Sequence, residues 1–127
     1  MTPEGKRRAL IVDPNACVRK LLAYTLRNSG YAVSLASRWT PSLERVQTRC
    51  VDVIVFDPVL LSWDQCLALC RRIRELAAAP VVLVTSRCVD EEVEQAMVAG
   101  AVAVIAKPFS PRDLVTRLDA ILAQRGS

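Results

Sequence analysis

Residues 52–58 read DVIVFDP: four consecutive apolar residues, Val53 to Phe56, held between two aspartates and closed by a proline. The run is too short for an ordinary helix and mostly β-branched, so it reads as a strand. Its apolar residues do not alternate with polar ones, which is the pattern of a strand buried on both faces. The same arrangement recurs outward in both directions, as Ala9 to Val12, Ala32 to Ala36, Val81 to Val84 and Val102 to Ala106.

Between these runs the apolar period changes to that of a helix. Val18, Leu21, Leu22 and Leu26 form one stripe, Cys66, Leu69, Cys70 and Ile73 a second, and Leu114, Leu118, Ile121 and Leu122 a third. Helix starts are expected at Thr40-Pro41, at Asp90-Glu91-Glu92 and at Ser110-Pro111-Arg112-Asp113, with Gly30 and Gly100 closing the first and fourth helices. Regular alternation of strand and helix predicts α/β architecture, a five-stranded parallel sheet joined by crossover helices. In such doubly wound folds the binding site lies at the carboxyl ends of the strands, where the strand order reverses.

Composition narrows the chemistry. The 127 residues suit one domain, with 1–7 read as a lead-in and 124–127 as a tail, and leave no room for an appended effector. The basic start resembles no signal peptide and no run reaches membrane-spanning length, so a cytoplasmic protein without membrane attachment is expected. The chain has no histidine, which excludes Ser-His and Cys-His nucleophilic catalysis and any internal phosphohistidine. Five cysteines form no CxxC pair; Cys66 and Cys70 continue an apolar stripe and read as core. The net charge is +4, but the arginines are spread over several helices, so direct nucleic-acid binding is not expected. Arg71, Arg72 and Arg74 read as a solvated helix face, and Asp90 to Glu94 as a helix start favoured by the macrodipole.

The residues that leave the first, third, fourth and fifth strands are Asp13, Asp57, Thr85 and Lys107. Two carboxylates, a hydroxyl and an ammonium converging on one edge form a coherent set for phosphoryl transfer. The series Leu10-Ile11-Val12-Asp13 with Val18-Arg19, then Asp52 to Asp57, Pro80 to Thr85, Ala99-Gly100-Ala101 and Lys107-Pro108-Phe109 resembles, over almost the whole chain, the receiver domain of two-component response regulators. The resemblance implies a flavodoxin-like (βα)5 fold and a signalling module rather than an enzyme. By it, Asp57 is the phosphoacceptor position, Thr85 and Lys107 contact the phosphoryl group, and the Lys107-Pro108 bond is cis. It further implies Mg²⁺ held by Asp13, Asp57 and the backbone carbonyl of Val59. The implied partners are a histidine kinase or another signalling protein, with a homodimer through the fourth and fifth helices as one arrangement.

The departures are as informative. Pro14 stands where the family has a second acid that ligates Mg²⁺, and Asn15 offers only a neutral oxygen in its place. Pro58 removes an N–H beside the acceptor position, and Val104 replaces the aromatic residue that reports phosphorylation. Leu61 stands where the family often has proline, and the segment from Asp57 to Arg71 is one residue longer than usual. Asp13-Pro14 also has the form of an N-cap and first helical residue, and Thr85 that of a strand-end residue bonding nearby backbone, while Met97 and Val93 with Asp90 to Glu94 offer a partner-docking face. Two functions follow: a receiver with weakened Mg²⁺-dependent phosphorylation at Asp57, or a phosphorylation-independent interaction module. A flavin- or nucleotide-binding enzyme is disfavoured, because Asp13 to Ala16 lacks the glycines of a phosphate cradle.

Overall fold

The computed structural model describes residues 6–46, 50–76, 79–87 and 89–125. Cys88, most of the basic lead-in and the last two residues of the expected tail lie outside them. The chain alternates strictly, as β1 (Arg7–Val12), α1 (Ala16–Asn28), β2 (Tyr31–Ala36), α2 (Pro41–Val46), β3 (Val53–Phe56), α3 (Trp63–Glu75), β4 (Val81–Thr85), α4 (Asp90–Ala99), β5 (Ala103–Ala106) and α5 (Pro111–Arg125). All strands are parallel, in the order β2-β1-β3-β4-β5. The order reverses at β1, so the carboxyl ends of β1 and β3 flank the switch point, with Val12 opposite Phe56.

Consecutive apolar residues send alternate side chains to opposite faces, and each face has its own core. Leu10, Val12, Ile54, Phe56, Val81 and Leu83 pack with Cys66, Leu69, Cys70 and Ile73 of α3 and Ala96 and Ala99 of α4. Ala9, Ile11, Val53, Val55, Val82 and Val84 pack with Leu22 and Leu26 of α1 and Leu114, Leu118 and Leu122 of α5. The two thiols of α3 are therefore core groups, as expected; their mutual hydrogen bond and burial hold Cys66 well above the usual thiol range. Among the described residues no helix is long and apolar enough to cross a membrane.

Several expectations shift. Leu21, placed on the core stripe of α1, is 45% exposed, because the buried stripe runs through Leu22, Ala23 and Leu26 and Leu21 lies beyond Leu22 on the side away from Ala23. Asp13 is not the N-cap of α1. The β1 ladder continues through it, Asp13 N donating to Ala36 O at 3.1 Å, and the helix starts only after Asn15, whose side chain accepts Val18 N–H at 3.1 Å. Asp90 is the first residue of α4 rather than its cap, which is Val89 and makes no side-chain bond. Thr40 and Ser110 do cap, accepting from Leu43 N and Asp113 N. Residues 7 and 8 join the sheet through backbone pairing with β2 despite their charge, and α5 runs on to Arg125, past the expected start of the tail. Arg72 and Arg74 are exposed but not merely solvated: Arg72 Nε pairs with Glu44 on α2 at 2.5 Å, and Arg74 donates to Val98 O of α4 at 3.3 Å.

Gly30 and Gly100 both adopt positive φ, +93° and +127°. A Cβ at Gly100 would lie 3.0 Å from Arg74 Cδ and 3.2 Å from Cys70 O, whereas one at Gly30 would meet nothing within 4 Å. Gly100→Ala is therefore expected to cost about 2 kcal/mol, strain plus displacement of Arg74, and Gly30→Ala about 1 kcal/mol, strain alone. Urea unfolding of the two variants checks the difference; equal losses would rule out the Arg74 contact as its cause.

Candidate functional site

Among the described residues three polar or charged side chains are buried, Asp13, Asp57 and Thr85, and all three terminate strands on the same edge of the sheet. A sheet covered by helices on both faces leaves its edges for such groups, and these three share the carboxyl edge. Ladder bonds carry each strand one residue past its apolar run: Asp57 N donates to Val12 O at 2.9 Å, and Lys107 N to Thr85 O at 2.9 Å. The Lys107-Pro108 peptide is cis, as the resemblance implied.

Lys107 organises the site. Its Nζ lies 2.9 Å from Asp13 Oδ2 and 2.5 Å from Asp57 Oδ2, bridging carboxylates that are 2% and 8% exposed. Burial by itself lowers the lysine pKa, but the two carboxylate hydrogen bonds outweigh it and hold the pKa above the ordinary value, so the ammonium form is secured. One cation against two anions leaves the trio with a formal charge of −1. The remaining oxygens meet backbone donors: Asn15 N–H gives to Asp13 Oδ1 at 2.8 Å, and Val59 N–H to Asp57 Oδ1 at 2.9 Å. Arg19 Nη1 donates to the Asp13 carbonyl at 2.7 Å.

Asp13, Asp57 and Lys107 are thus brought together as the sequence predicts. Next to Pro58, Val59 N–H is the loop donor that meets the Asp57 carboxylate; Pro58 is buried and its carbonyl accepts Leu61 N–H at 2.9 Å, closing the loop. Thr85 stands at the same edge, but its hydroxyl accepts Arg87 N–H at 3.0 Å, the bonding expected of an ordinary strand-end threonine. Arg87 was passed over in the sequence; its place two residues beyond the strand-end hydroxyl was the available signal. The Val59 side chain is exposed, and its backbone N–H donates to Asp57.

The donor set does not fit a firmly held Mg²⁺. That ion takes six oxygens in near-octahedral geometry. Asp13 and Asp57 already share Lys107, Pro14 contributes no side-chain oxygen, and the Asn15 amide oxygen is committed to its cap. Among the described residues no group of three His, Cys, Asp or Glu is placed to hold a metal.

Residues 9–119 match the family model described as the response regulator receiver domain. The chain is 31% identical over 122 residues to the transcriptional regulatory protein ResD of Bacillus subtilis, covering 96% of this chain and 50% of that protein. It is 36% identical over 121 residues to the transcriptional regulatory protein BaeR of Escherichia coli, covering 94% and 49%. The chain thus spans about half the length of the curated relatives it matches. A response regulator from Thermotoga maritima superimposes with a TM-score of 0.82 at 23% identity, covering 93% of this chain and 98% of that one, which is a likeness of fold. With the sheet order, the acid pair bridged by lysine and a family match across most of its length, this chain belongs to the receiver domain family of response regulators.

Proposed function

We propose that Asp57 is the phosphoacceptor of this receiver and that its Mg²⁺-dependent phosphorylation is weakened by the missing ligand at Pro14. The observation that carries the reading is the Lys107 ammonium bridging Asp57 and Asp13 at the switch point. With no histidine in the chain, the donor is external, a histidine kinase or a small acyl phosphate. An Asp57 carboxylate oxygen attacks phosphorus, the bond from phosphorus to the leaving group breaks with its electron pair going to that group, and an acyl phosphate remains. Asp13 keeps Lys107 oriented while the ammonium turns from the consumed carboxylate charge to the phosphoryl oxygens. The Thr85 hydroxyl and Val59 N–H supply further donors beside them. Receiver domains generally use Mg²⁺ in this reaction; here Asp13, Asp57 and the Val59 carbonyl are the oxygens left to meet it, and the trio's charge of −1 attracts it weakly.

The whole chain acts as one signalling domain on this reading, not as an enzyme. Its setting is the cytoplasm, its partner a histidine kinase or other signalling protein, and α4 and α5 supply a surface on which two copies pair. Mass spectrometry after incubation with acetyl phosphate, with Mg²⁺ or with chelator, tests the central claim. One slowly formed phosphate is expected on the wild type with Mg²⁺, and none on Asp57→Asn or in chelator. No adduct on folded wild-type protein would refute it.

A second reading, a phosphorylation-independent interaction module, is favoured by Pro14 and by Val104, which packs against the α3–α4 core and has no ring to rotate. On that reading Asp57→Asn leaves partner binding unchanged.

A further inference from the structure

With valine at position 104, the site has no aromatic residue on β5 through which to report its state. A different connected set of contacts leaves the site from Thr85. The Thr85 hydroxyl accepts Arg87 N–H at 3.0 Å. The Arg87 guanidinium carbon lies 5.2 Å from the centre of the Trp63 ring, and its nitrogens bind Glu92 Oε2 at 2.8 and 2.6 Å. Trp63 Nε1 in turn donates to Gln95 Oε1 at 2.8 Å. Trp63 is the first residue of α3, while Glu92 and Gln95 lie three apart on α4 and so on one helix face.

We infer that the Thr85 hydroxyl positions Arg87 and, through it, Trp63, so that the state of the strand-end site is reported at the seam between α3 and α4. The Thr85 backbone is fixed by its ladder bond to Lys107 N, so its side chain is the part free to change partner. Turning the hydroxyl toward the acceptor site removes it from Arg87 N–H and releases the loop that carries the guanidinium. Arg87 then loses its place over the indole, and one clamp between α3 and α4 opens. A phosphoryl group on Asp57 is what would turn the hydroxyl, and in that respect the inference rests on Asp57 being the acceptor. The positioning itself is a property of the unphosphorylated protein and is tested there.

Trp63 fluorescence reads the clamp directly in a Trp39→Phe background. Trp39 makes a tilted ring contact with Phe56, and its Nε1 has no hydrogen-bond partner, so phenylalanine keeps a ring against Phe56 and forfeits no hydrogen bond. Thr85→Val removes the acceptor while keeping shape at a buried position. It is expected to red-shift Trp63 emission and increase its quenching by iodide, because the indole loses its cover. Arg87→Ala should give the same shift, the Thr85→Val/Arg87→Ala double variant no more than either alone, and Thr85→Ser, which keeps the hydroxyl, should restore the parent spectrum. Unchanged emission in Thr85→Val, with circular dichroism of the folded protein, would overturn the inference. Adding acetyl phosphate and following the adduct by mass separates the two proposals. An adduct with shifted emission supports both, and an adduct with unshifted emission overturns reporting at the seam while Asp57 stands as acceptor. Absence of any adduct overturns the acceptor reading, and the Thr85→Val result then decides the positioning by itself.

Discussion

Lys107→Met is expected to destabilise the protein by about 3 kcal/mol, because it leaves two buried carboxylates facing one another without their cation. The figure lies at the low end for breaking a buried pair, since the lysine side chain keeps 19% of its exposure and water can enter. In a domain of this size the loss corresponds to a fall in Tm of roughly 10 °C. Asp57→Asn should behave differently. It leaves one cation with one anion, and the relief of the excess charge offsets the lost charge-assisted bond, so a change within about 1 kcal/mol is expected. The Lys107→Met/Asp57→Asn double variant should recover at least about 1 kcal/mol of the loss, the signature of groups that share one network. Urea unfolding of the four proteins measures the cycle, and additive losses would mean that the ammonium does not hold the carboxylates together.

The pH dependence follows from the direction of the lysine shift. Because the folded pKa is raised above the ordinary 10.5, the stabilisation by Lys107 is fully present below that value and is lost as pH rises through the folded pKa. The gap between wild type and Lys107→Met should therefore stay level from neutral pH to about pH 10 and close only above it. A gap that closed between pH 7 and 9 would mean that the lysine is not secured by the acids.

Pro14→Asp should raise both Mg²⁺ affinity and the rate of Mg²⁺-dependent phosphorylation about tenfold or more, an effect of only ~1.4 kcal/mol. Coulomb attraction between a divalent cation and an added carboxylate at contact exceeds that several-fold even at an effective dielectric of about 20, leaving room for desolvation and like-charge repulsion. The position tolerates the change: residue 14 precedes α1, and the cap at Asn15 and the Asn15 N–H bond to Asp13 do not involve the proline ring. Freed of proline, the unfolded chain gains entropy and the metal-free variant should lose roughly 0.5 to 1 kcal/mol. Mg²⁺ should then stabilise the variant more than the wild type, because a ligand stabilises in proportion to its binding of the folded state. Calorimetric titration and adduct formation at graded Mg²⁺ test both effects. An unchanged Mg²⁺ response would show that residue 14 is not where the missing ligand belongs.

Much of the molecule was legible before its structure. The runs at 9–12, 53–56 and 81–84 fall within β1, β3 and β4, because a strand covered on both faces must be continuously apolar and few other patterns are. Gly100 ended its helix as expected, since a positive φ at a helix end selects glycine. The caps were less legible. Asp13-Pro14 has the form of a helix start, but the parallel ladder claimed Asp13 and moved the cap to Asn15, and no local pattern reveals which residue the sheet will take. The capping box of α3, Ser62 with Gln65, was present as a local signal and was overlooked.

What the amino-acid order determined alone was the alternation of elements, the two-faced core and the identity of the residues leaving each strand, because these depend on period and on near neighbours in the chain. Only the tertiary structure decided how those residues engage. Lys107 meets Asp13 from 94 residues away and Asp57 from 50, contacts set by strand order and register. The Thr85 hydroxyl turns to Arg87, and Arg87 to a tryptophan on another helix, because packing α3 beside α4 brings those side chains within reach. Short-range sequence specifies which groups a strand delivers; the partner each group finds depends on distances that exist only once the sheet has closed.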